Sequence, residues 1–232
     1  MTEYVEANGH VVDATAFRRV LIAWGRQHFR TFKWRLTNDP FRILMAELML
    51  HRTQAKQVES VYRRFIIQYP NIRSLAGASK AELHASLYSL GLRWRIDLLH
   101  TAVARLLRDF SGRIPKSKEE LLAIPGISEY IAAAVRCFAH NIPEALVDTN
   151  TVRVAGRLFD LQVKDSSRRN ASFRTLLVAL LDHTQPRSYS YALLDLAEEV
   201  CTRKRPPACD KCPVSGFCVC GAQSGRLGNG RS

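Results

Sequence analysis

Leu121-Leu122-Ala123-Ile124-Pro125-Gly126-Ile127-Ser128-Glu129-Tyr130 is the stretch that organises the reading of this 232-residue chain. Just upstream, Ser117 followed by Glu120 has the form of a capping box that opens a short helix. That helix must end by Pro125-Gly126, and a second apolar-periodic segment, Tyr130 to Phe138, begins at once. The result is a helix, a Pro-Gly hairpin and a helix. Gly126 permits the tight turn, and the amides that open the second helix lie ahead of its own hydrogen-bond ladder. Such amides suit a phosphate oxygen. Taken alone, the same pattern also describes an ordinary helix–turn–helix corner.

Outward from the hairpin the periodicity stays helical. Phe17, Val20, Leu21 and Trp24 form one stripe in the segment Ala14 to Phe29. Pro40 sits at the first turn of a helix running through Phe41, Leu44, Leu48 and His51. Similar spacing recurs at Val58–Ile66, Leu83–Leu90, Ile96–Leu107, Leu176–Leu181 and Ala192–Val200, with turn residues between. No alternating strand pattern longer than a few residues is present. The expected class is therefore all-α, with a disordered tail over 221–232.

Composition narrows the function classes. Hydrophobic residues make up 47% and charged residues 24%, with only 12 Gly and 9 Pro, which excludes disordered and collagen-like chains. No apolar run reaches the roughly 18 residues of a membrane span. The polar, acidic start MTEYVEANGH has no signal-peptide character, so a cytoplasmic location is expected. Lys and Arg number 34 against 21 Asp and Glu, a net charge of +13 that attracts polyanions.

Five of the six cysteines fall near the end: Cys201, Cys209, Cys212, Cys218 and Cys220. Cys137 stands apart in an apolar run and reads as a buried small hydrophobe. In a chain with no export signal such a cluster indicates metal binding before disulfides. The spacing C-x7-C-x2-C-x5-C from Cys201 to Cys218 can put four sulfurs around one centre, and both zinc and an iron–sulfur cluster accept four thiolates. Beyond the hairpin, Val147-Asp148-Thr149-Asn150 precedes the helix-like Thr151-Val152-Arg153-Val154. Asp148 has the form of a helix N-cap. After a phosphate-gripping hairpin, its carboxylate also suits the sugar of a bound nucleotide.

These motifs together resemble the helix-hairpin-helix DNA glycosylases, the superfamily of endonuclease III and the MutY adenine glycosylases. The likeness runs from about Phe29 to Cys218. It is carried by Trp34-Arg35, Asp39-Pro40, Glu47 to Thr53, the hairpin, the Asp148 segment and the cysteines. It implies two helical domains: a six-helix barrel over 37–149 with the hairpin, and a second formed by 1–36 with 150–220. It also implies a 4Fe–4S cluster on Cys201, Cys209, Cys212 and Cys218, zinc being the less favoured metal. Double-stranded DNA with a mismatched or damaged base would lie across the cleft, its target nucleotide flipped out of the stack. A monomer is expected. Asp148 matches the family's essential aspartate, which stabilises the oxocarbenium character of the deoxyribose or helps activate water.

Tyr130 occupies the position at which endonuclease III-like members carry a lysine that forms a Schiff base with the sugar. Tyrosine has no such amine, so a monofunctional enzyme leaving an abasic site is implied. Tyrosine here resembles the thymine/uracil mismatch glycosylases. Glu47 matches a glutamate shared with the MutY group and completes the catalytic set Asp148, Tyr130 and Glu47. It either protonates a departing base or contacts the base or a water. The expected DNA contacts are Pro125, Gly126, Ile127, Ser128, Asn150, His51 and Arg52, with Arg52 filling the gap left by the flipped base. MutY-like members carry a further C-terminal domain, and with the sequence ending at Ser232 that reader is expected to be absent. Adenine or an oxidised pyrimidine is the alternative substrate. A non-catalytic DNA-binding module or a zinc-stapled interaction protein represents other classes, and both leave Asp148 unexplained.

The chain departs from the pattern at three places. Cys201 and Cys209 enclose one residue more than usual, which makes Cys220 an alternative to Cys218. Ser128 replaces a second hairpin glycine, and His51 replaces the usual Gln or Arg.

Overall fold

The computed structural model describes residues 2–51, 53–91, 93–203 and 206–228. In chain order it contains β1 (Tyr4–Ala7), β2 (His10–Asp13), α1 (Ala14–Gln27), α2 (Pro40–Leu50), α3 (Ala55–Gln68), α4 (Ile72–Ala76), α5 (Lys80–Leu87) and α6 (Arg93–Phe110). It continues with α7 (Lys118–Leu122), α8 (Glu129–His140), α9 (Thr149–Leu158), α10 (Ala171–Leu180), α11 (Pro186–Glu199) and α12 (Val219–Gly228). The chain is mostly helical, as expected, and none of the described helices is long and apolar enough to cross a membrane.

The strand pair corrects a strictly all-α reading. Asn8 and Gly9 both have positive φ, 54° and 71°, the backbone a two-residue hairpin turn requires. They bring Tyr4 opposite Asp13 and Ala7 opposite His10. Asn8 Nδ2 also donates to the Phe159 and Asp160 carbonyls, at 3.2 and 3.0 Å. Into the stretch read from the sequence as a disordered tail, α12 runs from Val219 through Gly228 and packs on α9 and on the 3-10 turns at Cys209–Lys211 and Ser215–Phe217. Gly221 lets α12 come this close, since a Cβ there would stand 2.7 Å from the Ser215 carbonyl oxygen. Residues 229–232 lie outside the described residues.

The chain forms two compact units, Met1–Arg30 with Ile142–Ser232, and Thr31–Asn141. Both exchange points come earlier than the 36/37 and 149/150 junctions read from the sequence. Asp148 accordingly belongs to the first unit, whose α9 it caps.

In the first unit Asp13 caps α1, its carboxylate accepting from Ala16 N at 2.9 Å. Phe17 and Leu21 of α1 join Val152, Leu158, Leu177 and Leu196 in one apolar core. The approach of α1 to α11 depends on Gly25, where a Cβ would lie 2.4 Å from that of Ala192. Asp195, wholly buried on α11, is paired with Arg30.

In the second unit Asp39 caps α2 by accepting from Phe41 N at 2.9 Å, and Pro40 fills the first helical position. The buried face of α2, with Phe41, Leu44 and Met45, packs on α8. Residues Ile131 to Val135 of α8 are all buried, and the three alanines among them keep that contact close.

Candidate active site and thiolate loop

The hairpin forms as its sequence dictates. Ser117 Oγ accepts from Glu120 N at 3.3 Å and starts α7, but the carboxylate that answers it is Glu119's, at 2.7 Å. Ile127 N donates to the Ile124 carbonyl at 3.2 Å across Pro125-Gly126, and Gly126 has φ +84°. Ser128 then caps α8, its Oγ accepting from Ile131 N at 3.3 Å. Serine in place of the second glycine thus starts the helix whose opening amides face the turn. Ile124 and Ile127 are buried and pin the turn, while Gly126 and Ser128 are exposed.

Glu47 lies on α2 and is 5% exposed, so it is not a solvated helix-surface carboxylate. Tyr130, in the first turn of α8, is half-buried. His51 is the C-cap residue of α2 and is exposed. A mostly apolar cavity of about 110 Å³ is lined by His51 together with Pro125, Gly126 and Ser128, with Met45 and Ile131 among its walls. The structure therefore brings His51 to the hairpin, although the two are far apart in sequence. Arg52 lies outside the described residues.

Asp148 is held more firmly than a simple N-cap requires. Its Oδ1 accepts from Asn150 N at 2.9 Å and Thr151 N at 2.8 Å. Its Oδ2 accepts from Asn150 Nδ2 at 2.8 Å. Thr151 Oγ1 returns the bond by accepting from Asp148 N at 3.0 Å, and it donates to the Leu146 carbonyl at 2.7 Å. A carboxylate oxygen has two lone pairs. Oδ1 has both engaged, whereas Oδ2 accepts one hydrogen bond from the described residues.

Asn150, a DNA contact on the sequence reading, also has both ends of its amide in hydrogen bonds within the protein: Nδ2 donates to Asp148 and Oδ1 accepts from Arg153 Nη1 at 3.0 Å. Arg153 continues the chain through Nε to the Cys201 carbonyl at 2.8 Å and Nη2 to the Ala197 carbonyl at 2.7 Å. One turn further along α9, Arg157 Nη1 donates to the Cys201 sulfur at 3.2 Å and the Thr202 carbonyl at 3.0 Å. Sequence reasoning counted Arg153 and Arg157 only as charge. Their spacing from Asn150, three and seven residues, places all three on one helix face and was the available signal.

Cys201, Cys209, Cys212, Cys218 and Cys220 line one pocket together with Arg157. None forms a disulfide, and Cys137 is fully buried elsewhere, as expected. Burial, the largest effect, pushes the Cys212 and Cys218 thiols up to about 11, and neighbouring cysteine sulfurs add to it. Backbone donors oppose this: Val214 N–H points at Cys212, and the Gly221 and Cys220 amides point at Cys218. As a thiol, Cys218 also donates to the Arg157 carbonyl at 3.2 Å. Among the described residues no three His, Cys, Asp or Glu side chains are gathered as the ligands of a single metal ion. The donor set, sulfur throughout and supplied with N–H and guanidinium donors, fits a thiolate-bound group.

Residues 45–177 match the HhH-GPD superfamily of base excision DNA repair proteins. A thymine/uracil-DNA glycosylase of Pyrobaculum aerophilum is 36% identical over 215 residues, covering 90% of this chain and 93% of that one. A thymine-DNA glycosylase of Aeropyrum pernix is 35% identical, covering 88% and 93%. Among solved structures, that of a thermostable thymine-DNA glycosylase superposes with a TM-score of 0.81 at 29% identity, covering 90% of this chain and 97% of that one.

Proposed function

The chain belongs to the HhH-GPD superfamily of base excision DNA repair proteins, and we propose that it is a monofunctional mismatch DNA glycosylase. It hydrolyses the N-glycosidic bond of a thymine or uracil opposite guanine in double-stranded DNA and leaves an abasic site. The observation that carries this reading is the Asp148 carboxylate: three N–H donors fix it, and one Oδ2 lone pair remains for the substrate. Purely structural capping needs only the amides of Asn150 and Thr151. The added grip of the Asn150 side chain on Oδ2 fixes the oxygen that capping does not use.

In the reaction Asp148 Oδ2 faces the deoxyribose as positive charge develops at the anomeric carbon, and an acidic oxygen already oriented stabilises that charge without reorganisation. Water then takes the place of the base. Tyr130 has no amine to bond with the sugar carbon, so the product retains an intact strand. Glu47, buried on α2, supplies the second carboxyl group, which contacts the base or the attacking water. The hairpin amides at the start of α8 hold backbone phosphate, with the net charge of +13 behind them.

The thiolate loop would hold a 4Fe–4S cluster through Cys201, Cys209, Cys212 and Cys218. Such a cluster supplies a rigid anchor for the loop. The amides on Cys212 and Cys218 and the guanidinium on Cys201 support a group bound through thiolates.

The test is a panel of duplexes carrying T, U, 5-substituted pyrimidines or A opposite G or 8-oxoguanine, scored for alkali-labile sites. Release of T and U opposite G is expected. Preferential release of A opposite 8-oxoguanine would replace this reading with the adenine-specific one.

A further inference from the structure

Five sulfurs line the pocket, one more than a four-thiolate group takes. Cys220 is the sulfur outside the four-thiolate set proposed above, and its neighbour is Cys209. Cys212 and Cys218 accept backbone amides, and Cys201 accepts from Arg157. Cys220 hydrogen-bonds with the thiol of Cys209 and also lies near Arg157. Two elements keep this pair together: Cys220 lies in the first turn of α12, and α12 packs on the 3-10 turn Cys209–Lys211. Both residues are partly accessible, in contrast to the buried Cys137 and Cys201.

We propose that Cys209 and Cys220 form a reversible thiol–disulfide pair, closed by a peroxide and reopened by a thiol reductant. One of the two sulfurs attacks one peroxide oxygen. The O–O bond breaks, a sulfenic acid forms and the first water leaves. The other sulfur then attacks the sulfenic sulfur, forming the S–S bond and releasing the second water. Two thiols are oxidised by two electrons, one peroxide is reduced to two waters, and the two thiol protons end in those waters. The loop closed is only about ten residues long, so little chain entropy opposes it. The consequence rests on the four-thiolate reading above: the disulfide removes Cys209 from the ligand set, so a chain without its cluster cannot take one up until it is reduced. A bound cluster ties up Cys209 and protects the pair.

The experiment compares the full chain as purified with the same chain stripped of metal by a chelator under reductant. Each is given one equivalent of hydrogen peroxide, alkylated, digested and mapped by mass spectrometry, with iron measured in parallel. In stripped protein the Cys209–Cys220 cross-link is expected as the main product, with a loss of two of the six titratable thiols. Dithiothreitol should restore both. The loaded chain should form the cross-link at least about ten-fold more slowly, and Cys220→Ser should form none. A different dominant cross-link, or oxidation of Cys220 to sulfinic acid without any cross-link, would overturn the pair. If the purified chain carries no iron yet forms the cross-link, the pair stands and the cluster reading fails.

Discussion

Asn150 grips Asp148 at both oxygens: its backbone N–H donates to Oδ1 at 2.9 Å and its side-chain Nδ2 to Oδ2 at 2.8 Å. The second of these bonds fixes the plane of the carboxylate, which the helix cap alone leaves free to turn about its own axis. One lone pair of Oδ2 is thereby given a constant direction, and the function proposed for the chain depends on that direction.

Asp148→Asn separates the cap from the chemistry. Asparagine caps helices as well as aspartate does, so the melting temperature should stay within a few degrees. The acidic oxygen is lost, and base release should fall by roughly three orders of magnitude. Single-turnover base release and duplex affinity, measured on the same protein, check this. Turnover within ten-fold of the parent would remove Asp148 from the reaction.

Asn150→Ala removes the Oδ2 donor and the acceptor for Arg153 but leaves both backbone amides on Oδ1. Each lost hydrogen bond is worth about 1 kcal/mol. We expect the rate of base release to drop roughly ten-fold or more while DNA affinity changes little. An effect confined to affinity would instead mark Asn150 as the DNA contact that its sequence position suggested.

Tyr130→Lys places an amine where the parent chain has a phenol. Borohydride should then trap a covalent protein–DNA adduct that the parent never forms, because only an amine gives a reducible imine. Gel analysis after reduction reads this directly. Trapping of the parent chain would show that another amine serves and that the enzyme is not monofunctional.

The residues proposed to carry the chemistry are legible in the sequence because they are local. Pro125-Gly126 with Ser128 dictates a turn and a cap, and Asp148 begins a helix whatever surrounds it. What the sequence hid is tertiary. Arg153 and Arg157 differ from other surface-pattern arginines only in what α9 packs against, and burial of Glu47 depends on the packing of α2. The N-terminal strands are four residues each, too short for alternation to register, although Asn8-Gly9 signalled their turn. The helix after Cys220 has a Gly- and Ser-rich sequence that disfavours helix; its contacts with α9 and the cysteine loop stabilise it.

Gly25→Ala tests the packing of the first unit. The added Cβ would lie 2.4 Å from that of Ala192, so α1 and α11 must move apart despite the better helix propensity of alanine. Overpacking of this kind costs about 1–3 kcal/mol, which for a chain of this size lowers the melting temperature by roughly 3–10 °C. Thermal unfolding followed by circular dichroism measures it. An unchanged or higher melting temperature would show that the two helices do not approach this closely in solution.

Cys218→Ser and Cys220→Ser distinguish the fourth cluster ligand. Cys218 receives the Gly221 and Cys220 amides, donors that stabilise a bound thiolate. Cys220 faces the Cys209 sulfur. Serine at 218 should therefore abolish the yellow-brown absorbance near ~400 nm expected of an iron–sulfur cluster, with parallel loss of iron and acid-labile sulfide. Serine at 220 should leave all three signals at parental levels. The reverse pattern would make Cys220 the ligand, and the extra residue between Cys201 and Cys209 would then accompany a displaced fourth sulfur. Zinc in place of iron in every variant would leave the loop a thiolate site but change the group it holds.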